Sequence, residues 1–212
     1  VPVTPGTQFV TLGGAVAVDV HGKNHHRDGC FGEHVRRMSL RVADGRVLTV
    51  SPEEHGELFW ATVGGMGLTG HILDVELGLV RVPSPYIVEE TTRVPDIDAY
   101  VEALEHAARR HRYTVGWIDC LSRGASMGRG VLMAGDWARP GEAPPRPPRR
   151  QRTVSLPVDL PGFALGRPTV RAFNTAFYHA HRPGTTRRVV SWEGFFYPLD
   201  RVHHWNRMYG RR

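Results

Sequence analysis

The residue types best suited to chemistry lie in one short polar segment, His21-Gly-Lys-Asn-His-His26. Its three imidazoles titrate near neutral pH and can act as acid, base or hydrogen-bond donor. Lys23 is the only lysine among 27 lysine and arginine residues. A lysine ammonium is compact and tunable, whereas a guanidinium is broad and permanently charged. The segment therefore predicts a place for a polar or anionic ligand beside a selected positive charge.

A metal site is one alternative, because four histidines lie between residues 21 and 34. Outside a helix, His21 and His25 do not share a face, and no cysteine or carboxylate completes a familiar ligand geometry. The two cysteines, Cys30 and Cys120, give neither a disulfide framework nor a metal-ligand spacing. We therefore expect no metal and interpret the histidines as hydrogen-bonding groups around a polar cofactor.

Two glycine-rich strings could bring backbone close to a ligand. A turn at Gly13-Gly14 precedes the apolar run 15–20, which is too short to distinguish a helix from a buried strand. Glycines there let backbone N–H groups approach a phosphate. Residues 65–70 match G-x-G-x-x-G, but the predicted helix precedes this string and the predicted strand follows it, the reverse of a dinucleotide-binding unit. We expect a close-packed turn near a ligand or another segment.

The composition indicates a globular protein with a basic surface. The chain has 212 residues, of which 41% are hydrophobic, and a net charge of +6. Such a charge suits nucleic acid, anionic lipid or an anionic small substrate. The arginines are scattered and no nucleic-acid module is recognisable, so we expect no nucleic-acid partner. Both ends interrupt an ordered pattern, and we expect an internal segment of a longer protein without a membrane-spanning run.

Hydrophobic patterning and turn residues predict a mixture of strands and helices in the first part of the chain. Asp44-Gly45 is a strong tight-turn dipeptide for a hairpin. Ser51, Pro52 and Glu54 together indicate a helix start with a capping box. The predicted elements are a β-hairpin over residues 38–50, a helix with Ser51 as its N-cap, and a strand over residues 72–82.

The composition changes at Pro83-Ser84-Pro85, which we interpret as a boundary between domains 1–82 and 83–212. A helix capped by Asp96 or Asp98 follows it. Its apolar face is expected to carry Tyr100, Val101, Leu104 and Ala108, and residues 139–152 form a proline- and arginine-rich linker. The remaining predicted elements are strands over residues 86–93, 113–121, 130–134, 169–178 and 189–196. The fold class predicted is α+β.

Four segments of the chain resemble one flavoprotein family. They are PGTQFVTLGGAVAVDVHGKNHHRDGCFGEHV, ADGRV, ELFWATVGGMGLTGHI and YPLDRVHHWNRMYG. They are similar to those members of the vanillyl-alcohol oxidase / p-cresol methylhydroxylase family that oxidise a prenylphosphoryl pentose in actinobacterial cell-wall synthesis. The likeness is very close over residues 1–82 and 195–210 and loose between residues 83 and 190.

The resemblance implies both a fold and an activity. Residues 1–82 would be the second half of a PCMH-type FAD-binding domain, and residues 83–212 the first part of an antiparallel-sheet substrate domain. The activity implied is hydride transfer to FAD from a secondary hydroxyl of a polyprenylphosphoryl ribose, giving a 2-keto intermediate on the way to arabinose. Also implied are a polyprenylphosphate-sugar substrate, a short-chain reductase partner, and a membrane-associated or periplasmic location in the cell envelope.

Family site residues carry over onto matching positions of this sequence. His21 and Lys23 are expected to face both flavin and substrate as catalytic groups. Trp117 and Tyr178 are expected to bind substrate as pocket walls. The expected FAD contacts are Gly6, Thr11, Leu12, Gly13, Gly14, His21, Gly22, Lys23, Asn24, His25, His26, Gly29, Cys30, Phe31 and Ile72.

Two positions depart from the family pattern. Cys30 stands where the family has serine, and Gly194 stands where it has glutamine. The second change removes a polar group from the expected pocket and weakens the assignment of the substrate. Two alternatives therefore stay open: an FAD-dependent aldonolactone or polyol oxidase, and a non-catalytic basic binding module.

Overall fold

A computed structural model describes residues 1–149 and 151–209, and the chain divides into two compact units. Unit 1 comprises Val1–Val82 and unit 2 comprises Pro83–Arg212. Each unit combines helices with an antiparallel sheet, which confirms the predicted α+β class. Arg150 of the predicted linker and Gly210 of the last resembling segment lie outside the described residues.

Unit 1 contains a three-stranded antiparallel sheet and several short helices. Its strand order is β2-β1-β3, and β1 and β2 form the predicted hairpin, with Leu40 opposite Leu48. Gly45 turns the hairpin at a φ of 88°, a backbone conformation that favours glycine. The elements are α1 (Leu12–Val18), α2 (His25–Asp28), β1 (Val35–Arg41), β2 (Val47–Val50), α3 (Gly56–Thr62) and β3 (His71–Leu77), with a 3-10 helix over Phe31–His34.

The apolar run after residue 14 is a helix, which decides between the two predicted alternatives. The expected turn at Gly13-Gly14 is wrong, because both glycines lie in the first turn of α1. The N-cap Thr11 explains this outcome: its Oγ1 accepts the Gly14 N–H at 3.0 Å and satisfies a donor that the helix start leaves free. Val16 is fully buried and joins the core of unit 1.

The predicted N-cap of the next helix is also wrong, since α3 begins at Gly56. Ser51 Oγ does accept the N–H groups of Glu53 and Glu54, at 3.2 and 3.0 Å. These bonds close a separate turn instead of starting a helix. His55, in the left-handed conformation with a φ of 56°, separates that turn from α3.

The glycine string 65–70 lies between α3 and β3, in the predicted order of helix before strand. This turn packs along the end of α1. The Gly64 N–H donates to the Val16 carbonyl at 3.0 Å, and the Met66 N–H donates to the Ala17 carbonyl at 2.8 Å. The glycines therefore serve close contact with another segment, one of the two roles predicted for them.

Unit 2 is built on a four-stranded antiparallel sheet of order β5-β6-β4-β8. Two short strands of unit 2, β7 and β9, pair in parallel apart from this sheet. Before the boundary, the last strand of unit 1, β3, ends at Leu77 and not at the predicted residue 82. The elements of unit 2 are β4 (Tyr86–Val94), α4 (Ile97–Arg110), β5 (Tyr113–Ile118), β6 (Gly130–Trp137), β7 (Val154–Ser155), α5 (Arg167–Ala180), β8 (Gly184–Ser191), α6 (Trp192–Phe196) and β9 (Val202–His203).

Helix α4 covers one face of this sheet and begins at the predicted cap, Asp96, whose Oδ1 accepts the Ala99 N–H at 2.9 Å. The expected buried face is correct for Tyr100, which is buried, and wrong for Val101 and Leu104, which are 49% and 37% exposed. Ala107 is buried beside Tyr100, and small alanines on this side let the helix approach the strands closely. An aromatic cluster that includes Tyr113 and Phe196 forms a second core in unit 2.

The predicted strand over residues 169–178 is wrong, because this stretch belongs to α5. Aromatic and β-branched residues suggested a strand, but they lie at helical spacing. The rings of Phe173 and Phe177 stack at 5.9 Å, and Phe177 contacts His181 at 4.8 Å. Pro168 in the first turn favours a helix start. The strand expected over residues 189–196 likewise ends at Ser191, where α6 takes over.

Candidate functional site

Residues 21–30 form a loop that is closed at its base. His21 and Cys30 make an isolated antiparallel bridge. Next to it, the Phe31 N–H donates to the Val20 carbonyl at 2.9 Å, and the Gly32 N–H donates to Oδ1 of Asp19 at 2.8 Å. The loop thus leaves and rejoins unit 1 at one place just beyond α1, and it carries the whole polar segment.

The buried side chain of Asn24 stabilises this loop through hydrogen bonds. Its side chain is 1% exposed, and its Nδ2 donates to the Pro2 carbonyl at 3.0 Å and to Oδ2 of Asp28 at 2.6 Å. A Cβ on Gly22 would lie 2.7 Å from Oδ1 of Asn24 and 2.9 Å from the Thr4 carbonyl. The loop therefore folds tightly against the N-terminal segment, and the two amide hydrogens of Asn24 are used within the protein.

The three imidazoles of the segment lie in a row on the exposed side of the loop. The ring centroids of His21 and His25 are 5.7 Å apart, and those of His25 and His26 are 6.0 Å apart. Lys23 is half-buried in the turn between them. His34 is engaged elsewhere, since its Nε2 lies 2.8 Å from the Asp28 carbonyl. The exposed row can offer hydrogen bonds and positive charge to one ligand.

The end of the loop is shaped around Glu33. Oε1 of this residue accepts the Cys30 N–H at 3.4 Å, and a Cβ on Gly29, which has a φ of 64°, would overlap its carboxylate. Burial, followed by the negative charges of Asp19 and Glu33, raises the pKa of the Cys30 thiol. Cys30 is therefore a neutral thiol at pH 7, able to donate a weak hydrogen bond.

The other expected cofactor contacts of unit 1 fall on the segment before α1, on α1 itself, on the 3-10 helix and on β3. Gly13 packs on β3, since a Cβ there would lie 3.6 Å from Cβ of Ile72. Leu12 is 54% exposed, whereas Phe31 is buried in the core. The backbone at Gly6 is open, because a Cβ on it would meet no atom within 4 Å. The expected set thus includes exposed groups as well as buried ones that only support the loop.

The expected substrate groups of unit 2 have unequal exposure. Trp117 is half-buried on β5, with its ring 4.7 Å from that of Phe177. Tyr178 is only 8% exposed. The guanidinium groups of Arg93 and Arg129 lie over its ring, at 5.0 and 4.9 Å from the centroid. Tyr178 therefore anchors two arginines by cation–π contact.

The side chain of Gln151 lies beside the backbone of Gly194. A Cβ on Gly194 would lie 3.0 Å from Nε2 of Gln151, and the Gly194 N–H itself donates to Oγ of Ser191 at 3.1 Å. Oε1 of Gln151 accepts from Nε of Arg201 at 2.8 Å. Gln151 and Gly194 are thus neighbours in the structure, a relationship that sequence alone did not reveal.

Residues 1–149 and 151–209 contain no group of three histidine, cysteine, aspartate or glutamate side chains placed to hold one metal ion. Within the same ranges, no helix has the length and apolar character needed to cross a bilayer.

The chain is similar to several known proteins. No protein-family profile matches the chain. It is 33% identical to the decaprenylphosphoryl-β-D-ribose oxidase of Mycolicibacterium smegmatis over 219 residues, covering 99% of this chain and 47% of that protein. An FAD-linked oxidoreductase of Aspergillus niger is 36% identical over 80 residues, covering 37% of this chain and 15% of that protein. The chain is a relative of FAD-linked oxidoreductases.

The relationship extends to a protein of unknown role. An uncharacterised protein of Streptomyces coelicolor is 43% identical to the present chain over 207 residues, covering 92% of this chain and 55% of that protein. The chain spans about half the length of the first two curated relatives it matches.

The residues of unit 1 fit FAD in the chemistry that they offer. The exposed row of His21, His25 and His26, together with Lys23, contains hydrogen-bond donors and a positive charge. Such groups suit a diphosphate and the carbonyl edge of a flavin ring. The open backbone at Gly6 leaves room for a cofactor to approach without meeting a side chain.

One polar cluster of unit 2 was not predicted from the sequence. The buried carboxylate of Asp119 gathers Arg129 and Asn174 from two other parts of the chain. The three residues are separated by up to 55 positions, and no local motif joins them. Only covariation among related sequences could have indicated such a contact in advance.

Proposed function

We propose that the protein is an FAD-dependent oxidoreductase that oxidises a secondary hydroxyl of a polyprenylphosphoryl pentose to a ketone. The observation that carries the proposal is the similarity to the Mycolicibacterium smegmatis oxidase over 99% of the chain. The matched region spans the closed loop with its lone lysine and exposed imidazoles. The substrate proposed is the ribose form, and its 2-keto product leads towards arabinose for the cell wall.

The two units take separate parts in this proposal. Unit 1 would supply the second part of an FAD-binding domain, and the exposed loop 21–30 would border the flavin. Unit 2 would supply the first part of a substrate domain, with the half-buried Trp117 as a pocket wall. Tyr178 would act by holding Arg93 and Arg129 in place, because its own ring is nearly covered.

The chain's own residues would orient the reactants and manage charge. Bound FAD supplies the capacity to accept a hydride. Lys23 would stabilise negative charge as it develops at the acceptor side, the kind of fixed electrostatic assistance that lowers reaction barriers most. His21, at the base of the loop, would position the substrate hydroxyl, and a neutral imidazole can accept its proton. Asn24 would keep both groups in place by anchoring the loop.

The proposal includes a partner and a location. A ketone on the sugar becomes arabinose only after reduction, so a short-chain reductase would follow this enzyme. A prenylated substrate lies in a membrane surface, and the net charge of +6 suits association with anionic lipid headgroups at the cell envelope.

The test is direct on the full-length protein. It should purify as a yellow flavoprotein whose absorbance bleaches anaerobically when a prenylphosphoryl ribose is added. A colourless protein, or a flavin that stays oxidised with this substrate, would overturn the proposal. Bleaching by a free aldonolactone or polyol but not by the prenylated sugar would favour the soluble-substrate oxidase instead. Colourless protein that binds DNA with a steep salt dependence would favour the basic binding module.

A further inference from the structure

Unit 2 contains a polar cleft of about 620 Å³. It lies between the connection from β5 to β6 and the first turns of α5. Four arginines, two serines and one carboxylate are among the residues that line it. The charged and hydroxyl groups are Arg123, Arg129, Arg167, Arg171, Ser122, Ser126 and Thr175, together with Asp119.

The single carboxylate of this cleft is already neutralised. Asp119 is 2% exposed, and its Oδ2 accepts from Nε and Nη2 of Arg129 at 3.0 and 2.8 Å. Its Oδ1 accepts from Nδ2 of Asn174 at 2.7 Å and from the Leu121 N–H at 3.1 Å. Asp119 and Arg129 therefore form a fixed pair, and the other three arginines give the cleft an excess of positive charge.

Among residues 1–149 and 151–209, the guanidinium groups of Arg123, Arg167 and Arg171 have no counter-ion and make no hydrogen bond. Their exposure leaves them free to turn towards a ligand in the cleft.

The position of two of these arginines on α5 is unfavourable without an anion. Arg167 and Arg171 are four residues apart, so like charges are neighbours on one helix face. Both lie in the first turns of a 14-residue helix, where the helix dipole favours negative charge, yet the first turn contains no acidic residue and Gly166 gives no side-chain cap. A bound anion would offset both the repulsion between the two arginines and their unfavourable interaction with the helix dipole.

The serines add neutral hydrogen-bonding groups at the same place. Oγ of Ser122 and Oγ of Ser126 are 2.8 Å apart, on the connection that also carries Arg123. Guanidinium groups bind phosphate oxygens through paired N–H donors, and hydroxyls complete such sites. We propose that this cleft binds a phosphate group, carried as a monoester or a diphosphate.

Calorimetric titration of the full-length protein with inorganic phosphate and with pyrophosphate, at constant ionic strength, tests the proposal. The variant with Arg167→Gln and Arg171→Gln should bind both at least ten-fold more weakly. Arg182→Gln is the matched control, because Arg182 is also exposed and follows the C-terminal end of the same helix. It should retain the affinity of the unmodified protein.

Two outcomes would overturn the proposal. One is unchanged phosphate affinity in the double variant while its thermal unfolding matches the parent. The other is an equal loss in Arg182→Gln, which would indicate general attraction to a basic surface. A parallel titration with a short-chain prenyl phosphate distinguishes free phosphate from lipid-linked phosphate as the ligand. If the double variant also binds the prenyl phosphate ten-fold more weakly than the parent, a lipid-linked phosphate is an acceptable ligand of the cleft. None of these measurements requires flavin reduction, so failure here leaves the redox proposal to its own test.

Discussion

Arg129 donates two hydrogen bonds to the same oxygen of Asp119, from Nε at 3.0 Å and from Nη2 at 2.8 Å. Burial of the carboxylate acts to raise the pKa of Asp119, but hydrogen bonds from Arg129, Asn174 and the Leu121 N–H outweigh it, and the net shift is downward. The pair therefore joins the sheet connection to α5 through a charge that must stay ionised.

The lowered pKa of Asp119 gives a pH dependence with a definite sign. A carboxyl with a lower pKa in the folded state contributes stability that is present above its unfolded pKa, about 3.9, and is lost as the pH falls through the folded pKa. Asp119→Asn should lower the free energy of unfolding at pH 7 by about 3 kcal/mol, since it leaves a largely buried arginine without its anion. Denaturant unfolding from pH 7 to pH 2 should show this difference shrinking below about pH 4.

A matched substitution separates this buried pair from ordinary surface charge. Arg109 and Glu105 form an exposed pair on α4, with their charged atoms 3.9 Å apart. Glu105→Gln should change the free energy of unfolding by less than about 0.5 kcal/mol. A difference between Asp119→Asn and the parent that stays constant down to pH 2 would contradict the assigned role of the charge.

Asn24→Ala should loosen the loop that carries the candidate catalytic groups. The change removes two hydrogen bonds and leaves the buried Pro2 carbonyl without its donor, at a cost of about 2 kcal/mol. Amide hydrogen exchange should accelerate over residues 22–29 before it does so in β1. Asn206→Ala, at an exposed position, is the control and should change neither exchange nor stability.

Lys23 offers a test of electrostatic assistance in the proposed reaction. Lys23→Met should reduce the rate of flavin reduction about 100-fold, the usual effect of removing one fixed donor to a developing charge. Flavin content should remain close to that of the parent, because the other groups of the loop are kept. Lys23→Arg restores charge without the compact shape and should recover only part of the rate. Equal rates in parent and Lys23→Met would remove Lys23 from the mechanism.

The two cysteines should differ in their reactivity towards iodoacetamide. The pKa of the Cys30 thiol is raised by burial and by the charges of Asp19 and Glu33, so little reactive thiolate exists at pH 8. Cys120 is exposed. Peptide mass spectrometry after timed labelling should find Cys120 modified first. Glu33→Gln removes one negative charge near Cys30 and should therefore reduce the difference in labelling rate between the two cysteines. Faster labelling of Cys30 than of Cys120 in the parent would contradict the described environment.

The Tyr100 hydroxyl fixes the identity of a residue on the neighbouring sheet. A Cβ on Gly116 would overlap this hydroxyl, so Gly116→Ala should destabilise unit 2 by about 1–3 kcal/mol. Adding Tyr100→Phe to the Gly116→Ala variant removes the overlapping hydroxyl and should restore part of the lost stability, measured as the thermal unfolding temperature. Gly162→Ala is the control, because a Cβ there meets no atom within 4 Å. Purely additive effects of the two substitutions would contradict the contact.

Local sequence signals were sufficient where a single turn or cap decides the structure. The hairpin at Gly45 and the helix start at Asp96 follow from backbone conformation and a side-chain oxygen, and both agree with the structure. Ser51 shows the limit of such signals, because its hydroxyl accepts the expected N–H groups without starting a helix. A cap satisfies donors locally, but continuation of a helix depends on packing further along the chain.

The helix over Arg167–Ala180 shows a second limit. Its aromatic residues have strand-like propensity, yet burial of Asn174 against Asp119 and of Tyr178 beneath two arginines requires helical spacing. Those partners lie far away in the sequence, so the composition of the segment could not reveal them. The candidate loop of unit 1 was recognisable from its residue types, whereas its closure by His21 and Cys30 and its anchor at Asn24 required coordinates.

The contact between Tyr100 and the sheet has an evolutionary consequence. The ring of Tyr100 lies against both Gly116 on β5 and Gly130 on β6, since a Cβ on either glycine would meet it. Only at Gly116 is the tyrosine the sole obstacle, because a Cβ on Gly130 would also overlap the backbone carbonyl of Trp117. A lineage that replaces the tyrosine with a smaller residue becomes free to accept alanine at position 116, and a lineage that keeps it does not. Positions 100 and 116 should therefore change together among related sequences, whereas Gly130 should stay glycine in both cases.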